Sequence, residues 1–311
     1  MTTSIRTART KPRLFEKYFR YRVLFLMFLP VLVYYFVFQY LPMYGLIISF
    51  KNFRFLDGIW ASPWVGLANF RDAFTSSEFW DVFQNTLIIS ALKLLVGFPA
   101  PLILALMLNE VRNHTYKRFV QTATYLPHFL SWVVLAGVTI NFLSPSSGPV
   151  NMILKNFGVN PVYFIGSRQH FVSVLVWSSV WKDIGWGTIV YLAALSAVNP
   201  ELYEACRIDG AGRIRQTLVV TLPAIAPVIT IMLIFAVGAI VNDDFDQIYN
   251  LYNPAVYSVA DVLSTYIYRM GLENMLYSYT TAIGLFKNLI AFVLVLGTNA
   301  LARRYGDYGL W

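Results

Sequence analysis

Asn199-Pro200-Glu201-Leu202-Tyr203-Glu204-Ala205-Cys206-Arg207-Ile208-Asp209-Gly210-Ala211-Gly212, followed a short way on by Leu222-Pro223, is a polar interruption between two long apolar runs. Polar backbone and carboxylates are costly in hydrocarbon, so a short polar helix in that setting belongs at a membrane surface. Asn199 suits the N-cap and Pro200 the first helical position, where the missing N–H has no partner to lose. Glu201 and Glu204 sit toward the positive end of the helix dipole, and Gly210 and Gly212 supply a stop. The spacing predicts a helix over 199–212, a rod of roughly 18 Å at 1.5 Å per residue. Ala205, Cys206, Gly210 and Ala211 are all small, so a second protein surface can come close. The stretch reads as a docking element.

Working outward, 57% of the 311 residues are hydrophobic and only 13% are charged, with a mean hydropathy of +0.56. Soluble domains carry about a quarter charged residues, so this is an integral membrane protein. Cys206 is the single cysteine, which excludes an internal disulfide and any multi-cysteine metal site. Its reading is a small packed residue rather than a reactive thiol.

Apolar runs fall at 23–47, 82–109, 119–143, 171–195, 218–241 and 279–302, each long enough to cross a bilayer as a tilted helix. The chain therefore reads as an all-α membrane protein with six transmembrane helices. A basic tail covers 1–22, the helical domain 23–302, and a short C-terminal tail 303–311. Basic residues decide the orientation. Fifteen lie on the side of the two termini, from Arg6 to Arg22, then Arg112, Lys117, Arg118, Arg207, Arg213, Arg215, Arg303 and Arg304. Six lie opposite: Lys51, Arg54, Arg71, Lys155, Arg168 and Arg269. The bias places both termini and the 199–212 helix in the cytoplasm, and its distribution argues against nucleic acid as the reason for a net charge of +8. The first run is too long for a cleaved signal peptide, and the second half of the tail suits an interfacial helix on anionic lipid.

The outer segments are long. Residues 48–81 hold Trp60, Trp64, Phe70, Phe74, Phe79 and Trp80, an interface composition. Residues 144–170 form a proline- and glycine-punctuated loop with one short helix near 150–157. Residues 242–277 open on Asn242, Asp243, Asp244, Asp246 and Gln247. These last suit sugar hydroxyls at a cavity mouth, or plain solvation; the spacing is not that of a calcium loop. Such segments provide a platform for an extracellular partner, or simply anchor at the interface. Pro99, Pro101, Pro223 and Pro227 interrupt two of the spans and predict kinks.

Three lysines, Lys93, Lys182 and Lys287, fall inside apolar runs, where each needs protein or water around it. Lys182 adjoins Asp183, but neighbouring helical residues do not face each other. The lysines define a polar pathway between helices, with Asn288 beside Lys287, or structural pairs with other helices. Trp177, Trp181 and Trp186 share the fourth run; the first two lie on one face, suited to stacking on sugar rings or to packing. No GxxxxGK[ST] loop, HExxH motif or nucleophile elbow occurs, so nothing here reads as an enzyme and the energy for any pumping must come from another chain.

The run Glu204-Ala205-Cys206-Arg207-Ile208-Asp209-Gly210-Ala211, then Leu222-Pro223, resembles the EAA motif of ABC importer permeases of the carbohydrate type. Ser62-Pro63-Trp64-Val65-Gly66-Leu67, Asn253-Pro254-Ala255-Val256-Tyr257, Thr265-Tyr266-Ile267-Tyr268-Arg269 and the terminal Tyr308-Gly309-Leu310-Trp311 are similar to the permeases that import large oligosaccharides, including rhamnogalacturonan fragments and alginate. The resemblance implies the type I ABC importer permease fold in a bacterial cytoplasmic (inner) membrane. It makes 199–212 a coupling helix seated in a cytoplasmic ABC ATPase dimer, with Glu204 as its polar contact and Asp209 and Gly210 shaping its end. It implies no cofactor in this chain, ATP and Mg being bound by the ATPase partner. It also implies a second related permease subunit and a solute-binding protein that delivers oligosaccharide or polysaccharide. Two positions depart from the pattern: Cys206 replaces alanine, and Thr217 stands where an aromatic residue is common.

The alternative class is a stand-alone secondary sugar carrier or channel, which would work without an ATPase. Trp177, Trp181, Lys182, Trp186, Asn242, Asp244, Lys287 and Asn288 are the expected substrate pathway. Intramembrane lysines suit an acidic sugar, so replacing Lys182 or Lys287 by Met is expected to weaken uptake of an acidic oligosaccharide.

Overall fold

The computed structural model describes residues 21–241 and 243–306. Residues 1–20 of the basic tail, where an interfacial helix is expected from sequence, Asn242 and the terminal Tyr308–Trp311 run lie outside the described residues. Among those described the protein is all helical, with one isolated antiparallel bridge, Lys51–Trp64, closing the loop between them.

Helix α1 runs over Arg22–Phe50, and none of its apolar stretch is buried by the rest of the chain. Leu26 is 75% exposed. A helix that is apolar all round and uncovered needs lipid or another apolar helix against it. Its last turns pack on the C-terminal helix. After the short α2 (Ala68–Thr75) comes α3, Ser77–Glu110, started by Ser76, whose hydroxyl accepts from the Phe79 N–H at 3.4 Å. Pro99 begins its second half and the helix runs through, longer than the 82–109 expected.

Helices α4 (His114–Phe129) and α5 (Trp132–Phe142) meet at 111°, so the span expected at 119–143 is broken. The cause is local. Pro127 tightens the last turn, Leu130 and Ser131 are extended, and Ser131 caps α5 by accepting from the Val134 N–H. A break frees carbonyls, and those of His128 and Leu130 are taken by the Lys182 ammonium at 3.0 and 2.6 Å. The loop after α5 carries α6 (Pro149–Asn156), close to the short helix expected there.

Helix α7 (Arg168–Ser196) is the pillar of the fold, packed on α3 and α4 and also on the later helices. It is long enough to span but too polar to count among the apolar helices, of which there are four among the described residues, or five if α4 and α5 make one span. The fourth expected span, 171–195, falls wholly inside it. Gly185 lets α4 lie directly on α7: an added Cβ would sit 2.2 Å from the Thr124 carbonyl oxygen. Gly185→Ala is therefore expected to cost about 1–3 kcal/mol through overpacking against backbone, read as a lowered melting temperature of the purified protein.

Helix α8 (Pro200–Ile208) leads into α9 (Arg213–Gly238), then α10 (Phe245–Leu251), α11 (Leu263–Tyr268) and α12 (Tyr277–Gly306). In α1 and α9 a Leu-Pro pair, Leu41-Pro42 and Leu222-Pro223, directly follows a π-helical turn, Phe36–Tyr40 and Thr217–Thr221. Proline removes one N–H and its ring crowds the carbonyl four residues back, and the wider turn accommodates both. Three apolar clusters hold the bundle: Ala105, Tyr191, Leu195 and Ile225 join α3, α7 and α9. Ile89, Phe171, Leu175 and Ile248 centre a second, and Phe79, Val82, Tyr266 and Ile283 a third.

Candidate functional site

At the end of the bundle formed by the C-terminus of α3 and the start of α9, helix α8 lies on the surface. It has nine residues, not the fourteen of the expected stretch. Asn199 caps it as expected, its side-chain oxygen accepting from the Glu201 N–H at 3.0 Å. Gly210 stops it: with φ of +76° it takes the left-handed position, its N–H donates to the Arg207 carbonyl and that of Ala211 to Cys206. This is a Schellman closure, which only glycine adopts without strain. Gly212 is not part of the stop; it is extended and precedes α9.

Three polar contacts, none obvious in sequence, tie this element to the helices behind it. The Tyr203 hydroxyl meets Thr221 Oγ1 at 3.0 Å, the Gln216 amide donates to the Ala211 carbonyl at 2.7 Å, and Arg213 pairs with Glu110 of α3 at 2.9 Å. Thr217, in place of an aromatic, donates to the Arg213 carbonyl at 3.1 Å inside the π turn. Cys206 is half-buried and Ala211 buried, whereas Glu204, Ala205 and Asp209 face outward. Leu222 is half-buried and Pro223 exposed. Glu204 and Arg207 border a cavity of about 460 Å³ whose other wall includes Glu110, Arg112 and Arg213. Ile208, at the tip, is 87% exposed. Helix α8 is thus braced from behind and open in front, with a carboxylate and an apolar tip on offer.

The second constellation lies inside the bundle, around a cavity of about 400 Å³ between α3, α7 and α9. Its wall includes Lys93, Asp183, Trp186, Tyr191, Asp243 and Asp244. Lys93 pairs with Asp244 at 2.8 Å and donates to Gln247 Oε1. Gln247 is fully buried, and its amide N–H groups are spent on the Leu175 carbonyl and Ser178 Oγ at 2.7 and 2.8 Å, which turns its oxygen toward the lysine. Asp183 meets His128 Nδ1 at 2.9 Å, and the His128 ring stacks on Trp186 at 4.5 Å.

The expected pathway residues do not form one site. Trp186 and Asp244 line this cavity, but Trp177 and Trp181, which do share a face, line a separate apolar cavity of about 620 Å³ with residues of α5 and α6. Lys287 pairs with buried Asp243 and bonds Ser264, so Asp243 is neither solvated nor free for a sugar hydroxyl. Lys182 is held by the broken helix and lies over the Trp132 ring at 5.4 Å. Asn288 is exposed on α12. Gln247, expected at a cavity mouth, instead anchors Lys93, and His128, which sequence reasoning gave no role, partners Asp183; the one signal for His128 is its place beside Pro127.

A surface helix between two long helices and an ion-pair-lined cavity within the bundle are features that suit a membrane transport subunit. Residues 97–307 match the family described as the binding-protein-dependent transport system inner membrane component, and the chain belongs to it. It is 43% identical over 288 residues to Protein LplB of Bacillus subtilis, covering 93% of this chain and 91% of that one. It is 40% identical to the polygalacturonan/rhamnogalacturonan transport system permease protein YteP of the same organism, over 97% and 94% of the two chains. Among solved structures it resembles a chain of a bacterial ABC transporter involved in import of the acidic polysaccharide alginate, with a TM-score of 0.88, 42% identity and coverage of 94% and 99%. A chain of the bacterial alginate transporter in complex with an alginate pentasaccharide-bound periplasmic protein gives a TM-score of 0.89 at 41% identity, over 96% and 100%.

Proposed function

We propose that the chain is one of two pore-forming subunits of an ATP-driven importer of oligosaccharide or polysaccharide in a bacterial cytoplasmic membrane. A solute-binding protein delivers the cargo to the outer loops, a second related permease completes the pathway, and a cytoplasmic ABC ATPase dimer binds ATP and Mg and drives it. Six crossings, with α7 and the bent α4–α5 pair among them, put both termini in the cytoplasm, in keeping with the fifteen-to-six distribution of basic residues. The observation that carries the reading is α8, capped at both ends, braced through Tyr203 and Arg213, and presenting Glu204 outward.

Cargo is an acidic sugar. The support is the names of a relative and of the similar solved structures, which speak of polygalacturonan and alginate.

The experiment is reconstitution. In proteoliposomes holding the whole complex, uptake is expected to require ATP, the ATPase and the binding protein, while the single chain under an ion gradient imports nothing. Import by the single chain would instead make it a stand-alone carrier. Mass spectrometry of the sugar that co-purifies with the native complex and its binding protein identifies the cargo.

A further inference from the structure

Two of the three lysines in the apolar runs are committed to the fold and border neither of the two bundle cavities. Lys287 is locked to Asp243, whose side chain is 1% exposed, and to Ser264, which itself bonds Asp243 through its backbone N–H at 2.8 Å. Lys182 closes the carbonyls of a broken helix. Lys93 differs on both counts. It stands in the wall of the 400 Å³ cavity, and its carboxylate partner, Asp244, is 46% exposed. Fully buried Gln247, fixed by α7, holds the ammonium in place from behind. The other half-exposed carboxylate in the wall, Asp183, is engaged by His128.

We propose that Lys93 is the cation that receives the carboxylates of an acidic oligosaccharide in the pathway, with Asp244 as its resting counter-ion. This rests on the acidic-cargo reading given above. A uronate carboxylate replaces the Asp244 carboxylate on the same ammonium, so the buried lysine is never left without a negative partner. Asp244, half-exposed in the paired state, faces the open cavity when released, and returns when the sugar moves on. Exchange of like for like lets a charged cargo pass without being trapped. A neutral sugar has nothing to displace Asp244 with, so the pair acts as a filter for charge.

The test is ATP-driven uptake in proteoliposomes of the whole complex, using alginate pentasaccharide and an oligogalacturonate pentamer, each also as its methyl ester. Lys93→Met is expected to lower uptake of the acid that wild type imports by about tenfold, the loss of one charge-assisted hydrogen bond. Lys93→Arg restores it, and Asp244→Asn, which removes the competitor, lowers the half-saturating concentration. Any import of the methyl esters is equal in wild type and Lys93→Met. Wild-type uptake by Lys93→Met, failure of Lys93→Arg to restore it, or a loss in Asp244→Asn equal to that in Lys93→Met would overturn the proposal by making the pair inert or merely structural. A wild-type complex that imports neither acid would overturn the acidic-cargo reading itself, and the role of Lys93 with it.

Discussion

Lys287→Met is expected to destabilise the protein by about 3–5 kcal/mol, the range for removing one partner of a buried ion pair. The Asp243 carboxylate would keep its bonds from Ser264 but lose its ion-pair partner in a site where its side chain is 1% exposed. Purified complex carrying this variant should melt well below wild type, and adding Asp243→Asn should return most of the loss, because no buried charge then remains. A double mutant no better than the single one would show that Asp243 is not the group that suffers. The expected loss of sugar uptake in Lys287→Met is therefore a loss of folded protein. That separates it from Lys93→Met, where uptake falls while charge-retaining Lys93→Arg recovers it.

Glu204→Lys is expected to uncouple ATP hydrolysis from transport. Helix α8 is short, its ends are closed by Asn199 and Gly210, Tyr203 bonds Thr221 of α9, and Arg213 at the start of α9 pairs with Glu110 of α3. Motion of anything seated on its outer face thus passes to the bundle as a rigid push. Glu204 faces outward and bonds nothing that holds the fold, so reversing its charge should spare assembly of the bundle while opposing the seat. The expected drop in ATP-dependent uptake is on the order of a hundredfold, the upper range for one coupling interaction. Melting temperature should stay near that of wild type. Normal uptake by an assembled Glu204→Lys complex would remove the coupling role from this residue.

Local signals were legible in sequence and long-range pairings were not. The N-cap at Asn199, the proline at the first helical position and the glycine stop are contained in α8 itself, so composition and spacing reveal them. The first, second, fifth and sixth apolar runs appear as α1, α3, α9 and α12 for the same reason. Lys93 and Asp244, by contrast, are 151 residues apart, and nothing in the periodicity of either segment links them. Lys182 was misleading in a different way. Its role is to close carbonyls opened by a break in another helix, and that break turns on extended backbone at Leu130 and Ser131 that an unbroken apolar run conceals. Trp177 and Trp181 share a face as their spacing requires, but which cavity that face lines depends on α5 and α6 folding over it.

The account stands on α8 as the element that meets an ATPase, and photo-crosslinking from its tip tests this most directly. With benzoylphenylalanine at Ile208, 87% exposed, illumination of the assembled complex should yield a covalent adduct that mass spectrometry identifies as the ATPase subunit. The same probe at Leu301, an exposed apolar position on α12, should give none. An Ile208 probe that labels no ATPase in a complex that still imports sugar would contradict the account.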